Sequence, residues 1–450
     1  MPDQKRYAVV GTGARARMYI EALAGPYPGE IVAWCDPNGV RMSFYEEALR
    51  VAGRGAPARY RPERFDALLA HERPDVVIVT SPDHTHPAYA AAALRAGCGV
   101  IMEKPVATSP EGARLLADAA RAASGELIVT FNYRYAARNL ELRRVIAEGS
   151  IGAVTSVHFE WMLDTVHGAD YFRRWHREKG ASGGLLVHKS SHHFDLVNWW
   201  IGDGPAEVYA RGALRFYGDM NAKERGLEER PERSFGSPGL GADPFALNLA
   251  GDDRLRRLYL EAEAQDGYIR DRDVFSPGIT IEDNAAVLVG YASGAFLTYS
   301  LNAHSPWEGY RVSVNGTAGR AELEVVERGL VRSAADGGVS GRPALDPMTA
   351  DEAREPDRDR VRPVAERLVV QRHWEPAYEV PLPAAAGHHA GGDARLLDAV
   401  FRPGGPDPLG QRAGYADGLR SAAIGLAANK SIATGQVVSV ADLGLAFPLS

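Results

Sequence analysis

Short apolar runs alternate with stretches of helical spacing through the first third of the chain. YAVVGTGARARMYIEALAG, from Tyr7 to Gly25, passes from a β-type run through Gly11 and Gly13 into a segment with Met18, Ile20 and Leu23 apolar. That pattern predicts strand, tight turn, helix. The rhythm continues: EIVAWCDPN and PDVVIVTSP read as strands, HPAYAAAALRAG as a helix, CGVIMEKP as a strand, PEGARLLADAARAA as a helix and ELIVTFNYR as a strand. A doubly wound parallel sheet is expected. Past Tyr133 the period falls to two: Val157, Phe159 and Trp161 alternate with His158 and Glu160, and Tyr310, Val312 and Val314 lead to an Asn-Gly turn. A sheet covered on one face fits both segments. The expected organisation is a first domain over 1–130 and a second over 131–450, with an insertion near 216–277 lying over a cleft. A surface loop is expected near 332–363, where Asp, Arg, Ala and Pro follow no period.

Composition narrows the function classes. With 450 residues, 45% of them hydrophobic, the chain can bury a sizeable core over two domains. A net charge of -7 leaves no broad basic surface for nucleic-acid phosphates. Cys35 and Cys98 are the only cysteines, which fits a reducing compartment and excludes a disulfide framework or a cysteine-rich zinc site. No signal core and no apolar stretch of about 18 residues is present, so a cytoplasmic protein without a membrane partner is expected.

The first turn has the chemistry of a phosphate cradle. Gly11 can take unusual dihedrals, Gly13 lets backbone approach a pyrophosphate, and Ala16 is small enough for helix and strand to pack closely. A simple strand-to-helix turn would look similar. Asp36, ending the next strand, stands where an acid meets the adenosine ribose hydroxyls, which favours NAD; Arg41 close by leaves NADP open. Two polar loops close later strands: TSPDHTHP, from Thr80 to Pro87, and MEKP with Lys104. The chain has only six lysines, so one at a strand end is less readily a generic solvated charge.

GTGARA, CDP, TSPDHTHP, EKP, FNYRY and SGGLLVHKSSHHFDLVNWW in this order resemble the Gfo/Idh/MocA oxidoreductases over the first 200 residues or so. The resemblance implies an N-terminal Rossmann domain and a C-terminal α/β domain whose open, mostly antiparallel sheet walls the substrate site and often forms a homo-oligomer interface. It implies a dehydrogenase of sugars, inositols or glycosides using NAD or NADP. Cofactor-site candidates are then Gly11, Gly13, Ala14, Arg15, Ala16, Asp36, Arg41, Thr80, Ser81, Pro82, His86, Glu103 and Lys104. By resemblance Lys104 would touch the reacting hydroxyl and His192 would be the acid/base. Substrate candidates are Lys104, Tyr133, Arg134, His188, Lys189, His192 and Asp393, the last in a His-Gly-Gly-Asp element after His388 and His389 that could equally be a capped helix entry. Two departures from the family pattern stand out: Asp83 where asparagine is common, and His188 where aspartate is common.

HKSSHHFD, from His188 to Asp195, leaves three readings open. Helical spacing would put His188, His192 and Asp195 on one face. A His-x-x-x-His pair could ligate a metal, but a nearby lysine disfavours a cation and no metal is expected. The cluster could also be bonded helix-face residues, although three histidines and a lysine are costly to bury without a role. Acid/base work fits best: His192 takes a hydroxyl proton, Lys104 stabilises the developing alkoxide, and His188 or Lys189 binds a neighbouring hydroxyl. The leading expectation is oxidation of a secondary ring hydroxyl, at C3 by family analogy. The alternatives are a glycosidase working by transient oxidation and elimination, and a non-catalytic NAD-binding regulator.

Overall fold

The computed structural model describes residues 4–227, 229–238, 240, 243–331, 361–383, 391–402 and 404–445. His388, His389 and residues 332–360 of the expected surface loop lie outside them.

Six parallel strands form the first sheet: β1 (Arg6–Val10), β2 (Glu30–Cys35), β3 (Ala58–Tyr60), β4 (Val76–Val79), β5 (Gly99–Met102) and β6 (Leu127–Val129), ordered β3-β2-β1-β4-β5-β6. The order reverses between β1 and β4, which is where a doubly wound sheet leaves a crevice beyond its carboxyl ends. The strands are near-continuous apolar runs because helices cover both faces; Ala8, Val9, Val77, Ile78 and Met102 are fully buried.

A second sheet of nine strands begins with β7 (Val154–Asp164) and continues with β8 (Pro205–Ala213), β9 (Asn284–Tyr291), β10 (Phe296–Ser305), β11 (Glu308–Gly316), β12 (Gly319–Arg328), β13 (Ala365–Arg372) and β14 (Tyr378–Val380). All its pairings are antiparallel except β7 with β10. Burial alternates along β10 residue by residue, as a sheet covered on one face requires. On the covered face lie helix Ser191–Ile201 and helix Tyr415–Thr434. The latter runs so close to the backbone at Leu186 that a Cβ on Gly425 would stand 2.5 Å from that residue's carbonyl oxygen.

Two short strands come from the end of the chain. β16 (Val438–Ser439) extends the second sheet beside β8, while β15 (Ala413–Gly414) pairs antiparallel with β6 of the first. Between β8 and β9 the chain runs through short helices, and Tyr259, Asp266 and Tyr268 of this stretch reach the crevice of the first sheet.

Candidate active site

A cleft of about 570 Å³ runs from the β1–β4 crevice to helix Ser191–Ile201. Its first half is built by backbone. Gly11 has φ +84°, and a Cβ there would come within 2.6 Å of Ser81 backbone atoms, so only glycine lets the two loops touch. A Cβ on Gly13 would meet nothing nearer than the Tyr259 hydroxyl at 3.9 Å, which leaves room for a phosphate against the turn. Asp36 accepts from the Thr12 amide at 2.6 Å and the Asn38 amide at 2.8 Å, so its carboxylate is held at the strand end although burial pushes its pKa up. Glu103 accepts from Arg15 at 2.5 Å and from the Tyr19 hydroxyl at 2.7 Å. Gly11, Gly13, Ala14, Arg15, Asp36, Arg41, Thr80, Ser81, Pro82, His86, Glu103 and Lys104 all line the cleft, whereas Ala16 is buried beneath it. These residues fit a dinucleotide. His86 differs from expectation in its engagement: its ring nitrogens face the Pro105 and Ser81 carbonyl oxygens, both at 2.8 Å, so it ties the two loops together. Arg41 is likewise engaged, with Asp266 at 2.6 Å and the Leu258 carbonyl.

The second half is built by side chains. Gly183 and Gly184, with φ +72° and +77°, turn the chain into a one-turn helix, Leu185–His188, and a second helix starts at Ser191. The expected single helix is therefore interrupted: Ser190 N–H donates to the Leu185 carbonyl, and Lys189 lies in the joint. The joint turns His188, Lys189 and His192 all to the cleft. Asp195 does not join them. It is held by Arg134 through two bonds of 2.6 and 2.8 Å, with both side chains buried.

Arg134 is thus corrected from substrate residue to internal partner; its remaining donors go to the Gly410 carbonyl and Asp417, because it sits between two helices away from the cleft. Tyr133 and Asp393 also stand one layer back. The Tyr133 hydroxyl accepts from Lys189 at 3.0 Å, its ring lies 4.5 Å from that of His192, and Asp393 accepts from the cleft residue Asn132 at 2.8 Å.

The two departures from the family pattern meet. His188 Nδ1 lies 2.5 Å from Asp83 Oδ2, and Lys104 Nζ lies 3.4 Å from His188 Nε2 and 3.1 Å from its carbonyl oxygen. With Lys104 as an ammonium, Nε2 must accept, so Nδ1 carries the imidazole proton and Asp83 accepts it. Burial pushes Asp83 up, against Lys104 and Arg174, which pull it down. His188 is held well below the ordinary imidazole range, first by burial and then by Lys104, His176 and Arg174. His192 is lowered in the same way by burial, Lys104 and Lys189, and its Nδ1 has no partner among the described residues. A neutral imidazole beside a lysine is a proton acceptor ready to work.

Sequence reasoning missed one wall. Tyr171, Arg174, Trp175 and His176 line the cleft, His176 stacking on Trp175 at 3.6 Å and meeting His188 edge-on at 4.2 Å. The signal was the run RRWH ahead of the paired glycines. Asp83, His176 and His188 bring ligand atoms within 4.8 Å of one another, but Lys104 and Arg174 already supply positive charge there.

Residues 5–131 match the family described as Oxidoreductase family, NAD-binding Rossmann fold, and residues 143–440 its C-terminal alpha/beta domain. The chain belongs to the Gfo/Idh/MocA oxidoreductase family. The expected NAD-binding Rossmann domain and mostly antiparallel second sheet are both those of this Gfo/Idh/MocA protein. Among its relatives, the protein YteT of Bacillus subtilis (strain 168) is 34% identical over 395 residues, 85% of each chain. D-glucoside 3-dehydrogenase of Escherichia coli (strain K12) is 34% identical over 150 residues, 33% of this chain and 41% of that one. Inositol 2-dehydrogenase of Rubrobacter xylanophilus is 30% identical over 219 residues, 47% and 56% of the two chains. The chain thus spans about half or less of these two dehydrogenases. In fold it is similar to the aldose-aldose oxidoreductase of Caulobacter crescentus, with TM-score 0.60 and 17% identity over 97% of this chain and 99% of that one. No helix among the described residues is long and apolar enough to cross a membrane.

Proposed function

We propose that this Gfo/Idh/MocA protein is a dehydrogenase that oxidises a secondary ring hydroxyl of a sugar or glycoside. The observation that carries the reading is the convergence of Lys104, His188 and His192 on one cleft with the Gly11 turn and Asp36. NAD, when bound, supplies the hydride acceptor. The residues of the chain do the rest: Lys104 donates to the substrate oxygen, His192 takes its proton, and His188, fixed by Asp83, holds Lys104 in position. Neutral His192 is the required protonation state, and the charge of Lys104 stabilises the alkoxide formed as the proton leaves. A preference for NAD over NADP is supported by Asp36 ending β2, where an acid would meet the adenosine ribose hydroxyls, and by Arg41 being engaged by Asp266 at 2.6 Å and Asp36 at 3.7 Å. Oxidation at C3 is supported by the likeness to D-glucoside 3-dehydrogenase. Incubation with NAD and a panel of sugars and glycosides should yield reduced nicotinamide. A Lys104→Ala variant that retained the wild-type rate would refute these roles for Lys104 and His188.

One observation favours a second reading, transient oxidation with retained cofactor and elimination of an aglycone. The segment between β8 and β9 is tied to the cofactor half at several points: Ala14 N–H to the Tyr259 hydroxyl at 3.1 Å, Asn38 Nδ2 to the Ala262 carbonyl at 2.9 Å, and Gly39 N–H to Gln265 at 2.6 Å. A cofactor held under these bonds would leave slowly. Aglycone release without net reduced cofactor would establish this reading over simple dehydrogenation.

A further inference from the structure

The wall that sequence reasoning missed carries an excess of fixed positive charge. Asp170 is wholly buried, and Arg173, Arg174 and Arg270 gather on it at 3.6, 3.1 and 2.8 Å. Among the described residues, none of the three has another carboxylate within ion-pair distance. Arg173 is spent on the Phe245 carbonyl as well, and Arg270 is fully buried. Arg174 is the outermost, with 18% of its side chain exposed, and it alone of the three lines the cleft. It meets Asp170 through Nε, and its two terminal nitrogens make no hydrogen bond to a described residue.

The carboxylates that face the cleft leave a cationic excess. Glu103 pairs with Arg15, Asp266 with Arg41, and Asp36 lies 3.7 Å from Arg41, while Asp83, bonded to neutral His188, offsets only part of the charge of Lys104 and Arg174. Lys104 and Lys189 add two more cationic side chains on the substrate side. Beside Arg174 lie Trp175, half-buried and flat against His176, and the His176 Nδ1, which is buried without a partner among the described residues. A cleft of this kind holds an anion adjoining a ring: a planar fork for a carboxylate and an aromatic face for the ring beside it.

We propose that Arg174, with Trp175 and His176, forms a subsite for the carboxylate of an acidic sugar, so that the substrate is a uronic acid or its glycoside. This rests on the sugar-oxidising reading of Lys104 and His192 and adds the substrate class. Arg174 binds substrate and takes no part in proton or hydride movement.

The test compares matched pairs on the NAD-loaded protein: D-glucuronate with D-glucose, D-galacturonate with D-galactose, and the methyl glycosides of each. Binding is measured by calorimetry and turnover by reduced nicotinamide. At least one acid should bind about 10- to 100-fold more tightly than its neutral partner, the range of a charge-assisted contact. Arg174→Gln should bring that ratio close to one through KM, and Arg174→Lys should keep part of it. Because Arg174→Gln disturbs the Asp170 cluster, the wild-type protein supplies a second arm: added salt should weaken the acid and leave the neutral partner unmoved. Neutral sugars bound and oxidised as well as the acids would overturn the subsite while the oxidoreductase reading stands. Acids bound through Arg174 but never oxidised would support the subsite and overturn that reading. Absence of binding by every pair member would overturn both.

Discussion

Swapping Asp83 and His188 back to the common family pair gives the sharpest check on the site, because the structure makes them a single unit. Asp83→Asn alone turns the 2.5 Å carboxylate contact into a neutral hydrogen bond, a loss of about 1 kcal/mol. His188→Asp alone sets two buried carboxylates against each other. At about 4 Å and an effective dielectric constant of about 20 they repel by about 4 kcal/mol, so one must take up a proton. The double variant restores an amide–carboxylate pair and returns an anion to the side of Lys104. Its activity should therefore exceed that of His188→Asp, with a coupling energy of about 2–4 kcal/mol, or about 30- to 1000-fold in kcat/KM. Four proteins suffice, each assayed for kcat/KM by reduced nicotinamide and for thermal midpoint. If the two single effects add to within about 0.5 kcal/mol in both assays, residues 83 and 188 do not act together.

Replacing Lys104 with Ala should lower kcat/KM by about 100- to 1000-fold, the scale of losing an electrostatic contact to the transition state, with the thermal midpoint little changed; steady-state kinetics and a melting curve check it. His192 must be neutral to accept a proton, and burial, Lys104 and Lys189 hold its pKa down, so kcat/KM should stay on its plateau below pH 6.5. Lys104→Met should move the acid limb to higher pH, and a wild-type limb centred above pH 6.5 would contradict the assignment. Arg134→Met should cost about 3–5 kcal/mol of stability by stranding Asp195, read as a lower melting temperature, while KM in the folded fraction holds. Dialysis against a chelator should leave turnover unchanged, since two cations already flank Asp83, His176 and His188.

What the sequence disclosed follows from what is local. The strand–turn–helix signature of Tyr7 to Leu23, the acid at Asp36 and the lysine closing β5 are short-range patterns, and the period-two stretches of β7 and β11 marked the second sheet. The pairing of Asp83 with His188 spans 105 positions and was not legible, although each residue stands out alone as a departure from the family pattern. Arg134 misled because the sequence does not say which way a side chain leaves the short turn Asn132–Tyr135; buried Asp195 decided it. The helical periodicity of HKSSHHFD assumed an unbroken helix, yet the helix stops at His188 and starts again at Ser191. His188, Lys189 and His192 still reach one cleft, while Asp195 turns away to Arg134.

The strand at Ala413–Gly414 ties the protein to the order in which it is made. β6 is complete once residue 129 is synthesised, but its free edge is covered only when residues 413 and 414 have emerged. The earliest-born half of the molecule waits for the latest. Until then it presents an open parallel-sheet edge, the surface on which other chains add strands. Shortening the chain before residue 413 would therefore leave that edge of β6 without its partner strand, even though every residue of the turn and crevice was still present.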